Sequence, residues 1–352
     1  MSNVAETVVF VDTLHEMAIA PEFINLADLA SARVGGRAIA TNDDFFAAKS
    51  NLIKAEPAVF IPGKYTSKGK WMDGWESRRR RVPGHDWCIV ALGMRGVIHG
   101  VDVDTSYFTG NFPSHCSIEA VDMPTAPKAA SHAVEGPPWT TILEKTGLSG
   151  NGHNFIAVSD RRPWTHLRLS IYPDGGVARL RVYGEVSVDW ARVAPNGRAV
   201  DLASIKNGGL FLDASDTHYG TKGALIMPGR ATYMGDGWET KRRRGPGYDW
   251  AIVRLGATGL VSKIEIDTNH FKGNYPDRAS LEGCLAPGAS IDRLHTAAWS
   301  TMLPEVKLSA NKRHFFAGRQ LQPIGAVSHV RLNIFPDGGV SRLRIHGTLA
   351  RD

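Results

Sequence analysis

The sequence contains itself twice. "DGWESRRRRVPGHDW" from Asp73 returns as "DGWETKRRRGPGYDW" from Asp236. The same spacing of 163 residues carries "DTSYFTGNFP" at Asp104 onto "DTNHFKGNYP" at Asp267, and "HLRLSIYPDGGVARLRVYG" at His166 onto "HVRLNIFPDGGVSRLRIHG" at His329. Upstream, "DLAS" at Asp28 returns at Asp201 and "GG" at Gly35 returns at Gly208, now 173 residues apart. The extra residues fall in "AEPAVFIPGKYTSKGKWM", for which the second copy has only the shorter "MPGRATYM". Two copies of a unit this long make a duplicated domain and not a solenoid. The boundary is expected within "SVDWARVAPNGRAV", residues 187 to 200, giving repeats over 1–188 and 189–352.

Each copy reads as strands. "HLRLSIY" and "VARLRVYG" alternate polar with apolar residues around the turn sequence "PDGG", which predicts a β-hairpin with one face packed and the other carrying His166, Arg168, Arg179 and Arg181. "DWCIVALG" and "DWAIVRLG" are short apolar runs closed by glycine, expected as core strands, and "VIHGVDVDT" and "VSKIEIDT" alternate again. Long 3.6-residue stripes are scarce. The expected fold is all-β, with two tandem homologous jelly-roll β-sandwich domains.

Composition narrows the function classes. The chain has 41 basic and 35 acidic residues among 352, a mixed-sign excess that permits an anionic ligand without requiring one. Cys88, Cys116 and Cys284 lack the spacing of a zinc knuckle or a redox pair and are expected as buried thiols in a reducing compartment. The N-terminal stretch "MSNVAETVVFVDTLHEMAIAPEF" has no basic start or small-residue cleavage site, and no window is long and apolar enough for a membrane helix. These features point to the cytoplasm, with no membrane partner. No P-loop, Rossmann glycine fingerprint, Gly-x-Ser-x-Gly elbow or His-Glu-x-x-His motif occurs. A divalent metal such as manganese, held by Asp, Glu and His from separate loops, stays open, and no cofactor is assigned.

The candidate chemistry lies in the repeated blocks. An extended backbone in "DGWESRRRR" sends Glu76, Arg78 and Arg80 to one side and Ser77, Arg79 and Arg81 to the other. Arginines there must be solvated, paired with acids, or aimed at an anionic ligand, and arginine suits a planar carboxylate. A salt-bridge network explains one such copy; retention of Asp73 and Glu76 as Asp236 and Glu239, and of Arg80 as Arg243, favours function. Trp75, Trp87, Trp238 and Trp250 are expected in the core. Asp86 and Asp249 are divided between a turn role and a site role. Asp104 and Asn111, with Asp267 and Asn274, stand at a strand end and its loop, and Glu119 aligns with Glu282. An Asp and a Glu beside an amide donor can supply acid, base and orientation for hydrolysis at a carbon–nitrogen bond, although any one of them can instead close a turn. His85 and His115 are not shared, since Tyr248 and Arg278 replace them, and they gain weight if one copy alone works.

Taken together, the blocks "DGWE...RRR..PG.DW", "DT..F.GN.P" and "H.RL.I.PDGGV.RLR..G" resemble the allantoicase family over nearly the whole chain. The resemblance implies two jelly-roll domains of the galactose-binding-like kind, a homo-oligomer, and hydrolysis of allantoate to ureidoglycolate and urea in purine degradation. Allantoate is a carboxylate whose central carbon bears two ureido groups. On that substrate, proton transfer is assigned to Glu76 or Glu119, water orientation to Asp73 or Asp104, and carboxylate binding to Arg78 and Arg80, with Asn111, His85 and His115 as further contacts. The alternatives are a carbohydrate or small-anion binding module with paired sites and nucleic-acid binding through "SRRRR" and "KRRR". Acids embedded in each basic block weigh against nucleic acid.

Overall fold

The computed structural model describes residues 20–123, 138–221 and 223–350; the N-terminal stretch up to residue 19 lies outside them. The chain divides into two compact units, the first ending at Ser187 and the second starting at Val188.

In the first unit the strands are β1 (Ala27–Asp28), β2 (Arg37–Thr41), β3 (Tyr65–Thr66), β4 (Gly69–Lys70), β5 (Trp75–Glu76), β6 (Asp86–Asp104), β7 (His115–Val121), β8 (Thr140–Gly147), β9 (Phe155–Ala157), β10 (Pro163–Tyr172), β11 (Gly176–Val177) and β12 (Arg179–Val186). Pairing is antiparallel throughout, and the long strand β6 organises it. The first half of β6 pairs with β2 and β10, and β10 continues through β7 to β8. Its second half pairs with β9 and β12, with β1 beyond. One strand thus serves both layers of a jelly-roll sandwich. Trp75, Ile89, Ile98, Phe108, Ile118 and Leu167 are among the largest fully buried side chains of this unit. The second unit repeats this plan around Asp249–Asp267.

Two local expectations change. "DWCIVALG" does not end at its glycine; β6 runs on to Asp104 and absorbs "VIHGVDVD". Glycine here marks a close approach of backbones: a Cβ on Gly93 would lie 2.6 Å from the Gly36 nitrogen, and one on Gly96, further along the strand, 2.4 Å from the Glu185 carbonyl oxygen. The "PDGG" segment does not join a hairpin either. β10 pairs with the first half of β6, whereas β12 pairs chiefly with its second half, and between them β11 turns aside to pair with β5. The burial of the two strands departs from the expectation as well. His166 and Arg179, expected on an open face, are 4% and 1% exposed.

Arg179 reaches inward to Asp73. Its guanidinium donates to an Asp73 carboxylate oxygen at 2.6 Å, to the Asp73 carbonyl at 2.9 Å and to the carbonyls of Glu56, Pro57 and Ala178. Arg342 holds Asp236 in the same way, through two bonds of 3.0 Å to its carboxylate. The tryptophans divide. Trp75 and Trp238 are buried, their indole N–H groups donating to the carbonyls of Asp43 and Asp216, while Trp87 and Trp250 are half-buried. Cys88, Cys116 and Cys284 are buried free thiols. Among the described residues no helix is long and apolar enough to cross a membrane.

Candidate active site

The period of two in β6 places Asp102 and Asp104 on one face at its C-terminal end. Beyond Asp104 the chain turns through a loop whose backbone is fixed at each step. Asp104 accepts from the Ser106 N–H at 2.8 Å, and the Thr105 hydroxyl donates to the carbonyls of Ser149 and Gly152. Tyr107 takes a φ of 70°, unusual for a residue with a side chain, and its N–H donates to the Asn151 side chain at 2.8 Å. This ties the loop after β6 to the segment before β9 and brings His153 beside Asp102.

The resulting cavity, about 760 Å³, is lined by Asp102, Asp104, His153, Lys70, Tyr107 and Arg181 among others. His153 Nδ1 lies 2.7 Å from one Asp102 oxygen, and the Asn154 N–H donates to the other at 3.1 Å. A ring nitrogen facing a carboxylate carries the proton, so Nε2 is left as the lone-pair acceptor. The Asp102 contact raises the His153 pKa above its ordinary value, outweighing burial. Burial holds the Asp102 carboxyl above its usual range even with His153 opposite. Arg181 is committed, its guanidinium donating to the carbonyls of Lys54, Ala55 and Glu56.

An adjoining cavity of about 160 Å³ shares Lys70, Tyr107 and Thr109 with the first and contains Glu76 and Asn111. Asn111 donates to Glu76 at 2.6 Å, and burial raises the Glu76 carboxyl, a shift the Asn111 bond only partly offsets. Of the sequence candidates, Asp104, Glu76 and Asn111 therefore come to one end of the first repeat. Packing of Phe108 against Gly176 positions Glu76: a Cβ on Gly176 would fall 1.9 Å from that ring, so only glycine lets β11 lie here and pair with β5.

The other candidates go elsewhere. Asp73 is 7% exposed and bound by Arg179, Lys54 and the Val59 N–H; burial opposes ionisation, but these contacts win and hold its carboxyl below the usual range. Arg78 pairs with Asp43 at 2.6 Å, and Arg80 with Asp86 at 2.7 Å. Arg80, His85 and Glu119 line a different cavity, about 650 Å³, where Arg168 grips Glu119 at 2.6 Å. His85 lies against the Tyr172 ring, and exposed His115 contacts Ser114. The sequence expectation put Arg78 and Arg80 on one side of an extended strand with Glu76, as binders of a substrate carboxylate. The chain leaves strand geometry after Glu76, and each arginine finds an acid of its own.

Most of these pairs recur in the second repeat: Glu239 with Asn274, Arg243 with Asp249, and Glu282 with Arg331. The cavity end does not recur. Glu265, opposite Arg344 as Asp102 is opposite Arg181, is gripped by Arg313 through bonds of 2.6 and 2.9 Å. Asp267, the counterpart of Asp104, is gripped by Arg230 at 3.0 and 3.2 Å. Asp104 carries no such partner among the described residues. Sequence reasoning missed Asp102 and His153. The signal for the first was available, since alternation in "VDVDT" puts Asp102 on the face of Asp104; nothing local marks His153 in "GLSGNGHNF".

Among the described residues no three His, Cys, Asp or Glu side chains gather where they could hold a metal ion. The first-repeat cavity thus offers a histidine base backed by a carboxylate, a second carboxylate, and a lysine.

The sequence model of the allantoicase repeat matches residues 27–187 and 200–350. A probable allantoicase of Burkholderia mallei is 52% identical over 94% of this chain and 97% of the relative, and one of Ralstonia nicotianae is 49% identical over 94% and 97%. The crystal structure of allantoicase from Saccharomyces cerevisiae superposes with a TM-score of 0.78 at 34% identity, covering 91% of this chain and 92% of that one. With both repeats matched and 94% of its length aligned to a relative at 52% identity, the chain belongs to the allantoicase family.

Proposed function

We propose that this chain hydrolyses allantoate to ureidoglycolate and urea, and that the first repeat carries the reaction in the cavity of Asp102, Asp104 and His153. One observation carries the choice of repeat. The first leaves Asp104 and the His153 ring facing open space, where the second has its two acids closed by Arg230 and Arg313. Burial of the three cysteines as free thiols fits a reducing cytoplasm.

The chemistry follows from the placement. Asp104 accepts N–H groups of the ureido arms and turns the central carbon toward His153. His153 Nε2 takes a proton from water as the water oxygen bonds to that carbon and the carbon–nitrogen bond to one ureido group breaks. The same proton then passes from Nε2 to the departing nitrogen, releasing urea and leaving a hydroxyl on the carbon. Asp102 keeps the imidazole in the tautomer this requires and stabilises the imidazolium that forms between the two transfers. The remaining ureido nitrogen supports the electron-poor carbon while the bond breaks.

Urea release from allantoate by the purified full chain tests the activity, and a paired variant tests its address. Arg313→Gln, which opens the ion pair with the buried Glu265 in the second repeat, is expected to keep kcat of the folded protein within about threefold of the parent, because that pair is not part of the first-repeat cavity. A large loss with Arg313→Gln in folded protein would move the chemistry out of the first repeat.

The acid limb of kcat/KM tests the histidine. A base must be unprotonated, so activity falls as pH drops through the His153 pKa, tenfold per unit, with a midpoint above 6.5 because Asp102 raises it. Asp102→Asn removes the cause of the upward shift and moves the midpoint down. A midpoint unmoved by Asp102→Asn would show that another group titrates.

A further inference from the structure

The first repeat carries a ten-residue excess over the second, in "AEPAVFIPGKYTSKGKWM". It builds a short hairpin, β3 with β4, in which Tyr65 pairs with Lys70 and Thr66 with Gly69, and the Trp71 N–H closes it onto the Lys64 carbonyl at 3.0 Å. Three lysines project from it over aromatic rings. Lys64 lies 4.5 Å from the Trp71 centroid, Lys68 lies 4.9 Å from Phe45, and Lys70 lies 4.5 Å from Phe60. Phe60 stacks on Tyr107, the positive-φ residue of the loop after β6. The hairpin thereby carries Lys70 to the wall shared by the two cavities.

Charge gives this placement a consequence. An anion entering a space with the carboxylates of Asp102 and Asp104 is repelled unless a cation meets it. Arg181 lines the same space, but carbonyl oxygens occupy its guanidinium and Asp28 lies 3.5 Å away. Lys70, by contrast, makes no ion pair and no side-chain hydrogen bond among the described residues. Among the described residues the second repeat has no such hairpin, and the arginine of its shorter segment, Arg230, is bonded to Asp267. The copy that lacks the free lysine is the copy whose acids are closed.

We infer that Lys70 is the carboxylate-binding residue of the first-repeat cavity and sets its preference for ureides that carry a carboxylate. The ammonium holds the carboxylate at one end, against the Phe60 and Tyr107 rings, and so presents the ureido arms to Asp104 and His153. This rests on the first-repeat site described above, and the test separates the two.

The probes are N-carbamoylglycine, which has one carboxylate and one ureido group, and its neutral amide, titrated calorimetrically into the full chain. The parent protein is expected to hold the carboxylate at least about tenfold tighter than the amide. Lys70→Ala loosens the carboxylate about 10- to 100-fold and leaves the amide within about twofold, as loss of one charge-assisted bond requires. Lys70→Arg restores most of the preference. Lys64→Ala removes the same charge from the same hairpin and leaves the preference intact, which separates direct contact from a diffuse field. With allantoate, Lys70→Ala raises KM far more than it lowers kcat. Absence of a carboxylate preference in the parent, or its survival in Lys70→Ala, overturns the inference. If His153→Asn turns over normally while Lys70→Ala loses the preference, the carboxylate subsite stands and the acid–base assignment falls. The reverse pattern removes Lys70 and keeps the acid–base pair.

Discussion

His153→Asn lowers kcat for urea release by about 10²- to 10⁴-fold while the protein stays folded. The asparagine side-chain nitrogen sits where Nδ1 sits, so it can still donate to the Asp102 oxygen that now lies 2.7 Å from the ring. Only Nε2 is lost, and with it the atom that takes the proton from water. Folding is spared because the His153 side chain is 56% exposed and its other contact is stacking on Phe155 at 5.5 Å. Asp104→Asn behaves differently. It keeps an acceptor for the Ser106 N–H and removes a charge that orients the ureido arms, so KM and kcat both worsen. Steady-state kinetics on both variants, with near-ultraviolet circular dichroism to confirm packing, gives the comparison. A folded His153→Asn protein with parental kcat would exclude the histidine as the base.

Retention across the two copies was the strongest reason to assign function to Asp73, Glu76, Arg80 and Glu119 from the sequence. The structure supplies a framework reason for most of that retention. Asp73 and Asp236 hold equivalent buried arginines, Arg80 and Arg243 hold equivalent aspartates, and Glu119 and Glu282 hold equivalent arginines. Pairs that serve one fold twice are kept twice. What separates the copies is where they differ: Asp102 against Glu265, His153 against Arg313, and a hairpin present once. Strand alternation and the repeated blocks made two all-β domains legible, because a period of two survives in residues such as Leu167, Leu169 and Ile171. Which half of β6 each strand would join was not legible, since register across 163-residue repeats depends on close backbone approaches such as that at Gly96. His153 was hidden for the same reason. It reaches Asp102 from 51 residues away, through the pairing of β9 with β6 and the Tyr107–Asn151 bond.

The framework reading of Asp73 has its own large effect. Arg179→Met is expected to cost the first repeat about 3–5 kcal/mol, the usual result of leaving a buried carboxylate without its partner. The loss is broad: the guanidinium also satisfies the carbonyls of Glu56, Pro57, Asp73 and Ala178, and methionine satisfies none. Lys54 remains on Asp73 at 2.9 Å, but its ammonium is partly exposed and meets only one carboxylate oxygen. Arg179→Lys recovers little, since a single ammonium cannot span the acceptors that the planar fork reaches. A domain of this size has about 5–15 kcal/mol of stability in all, so the variant unfolds well before the parent in guanidinium chloride. Arg342→Met does the same to the second repeat through Asp236. Below the denaturation midpoint both variants turn over allantoate at the parental kcat, because neither arginine reaches the cavity of Asp104 and His153. An Arg179→Met protein that kept its midpoint, or an Asp73→Asn protein that stayed folded and lost turnover, would return Asp73 from the framework to the chemistry.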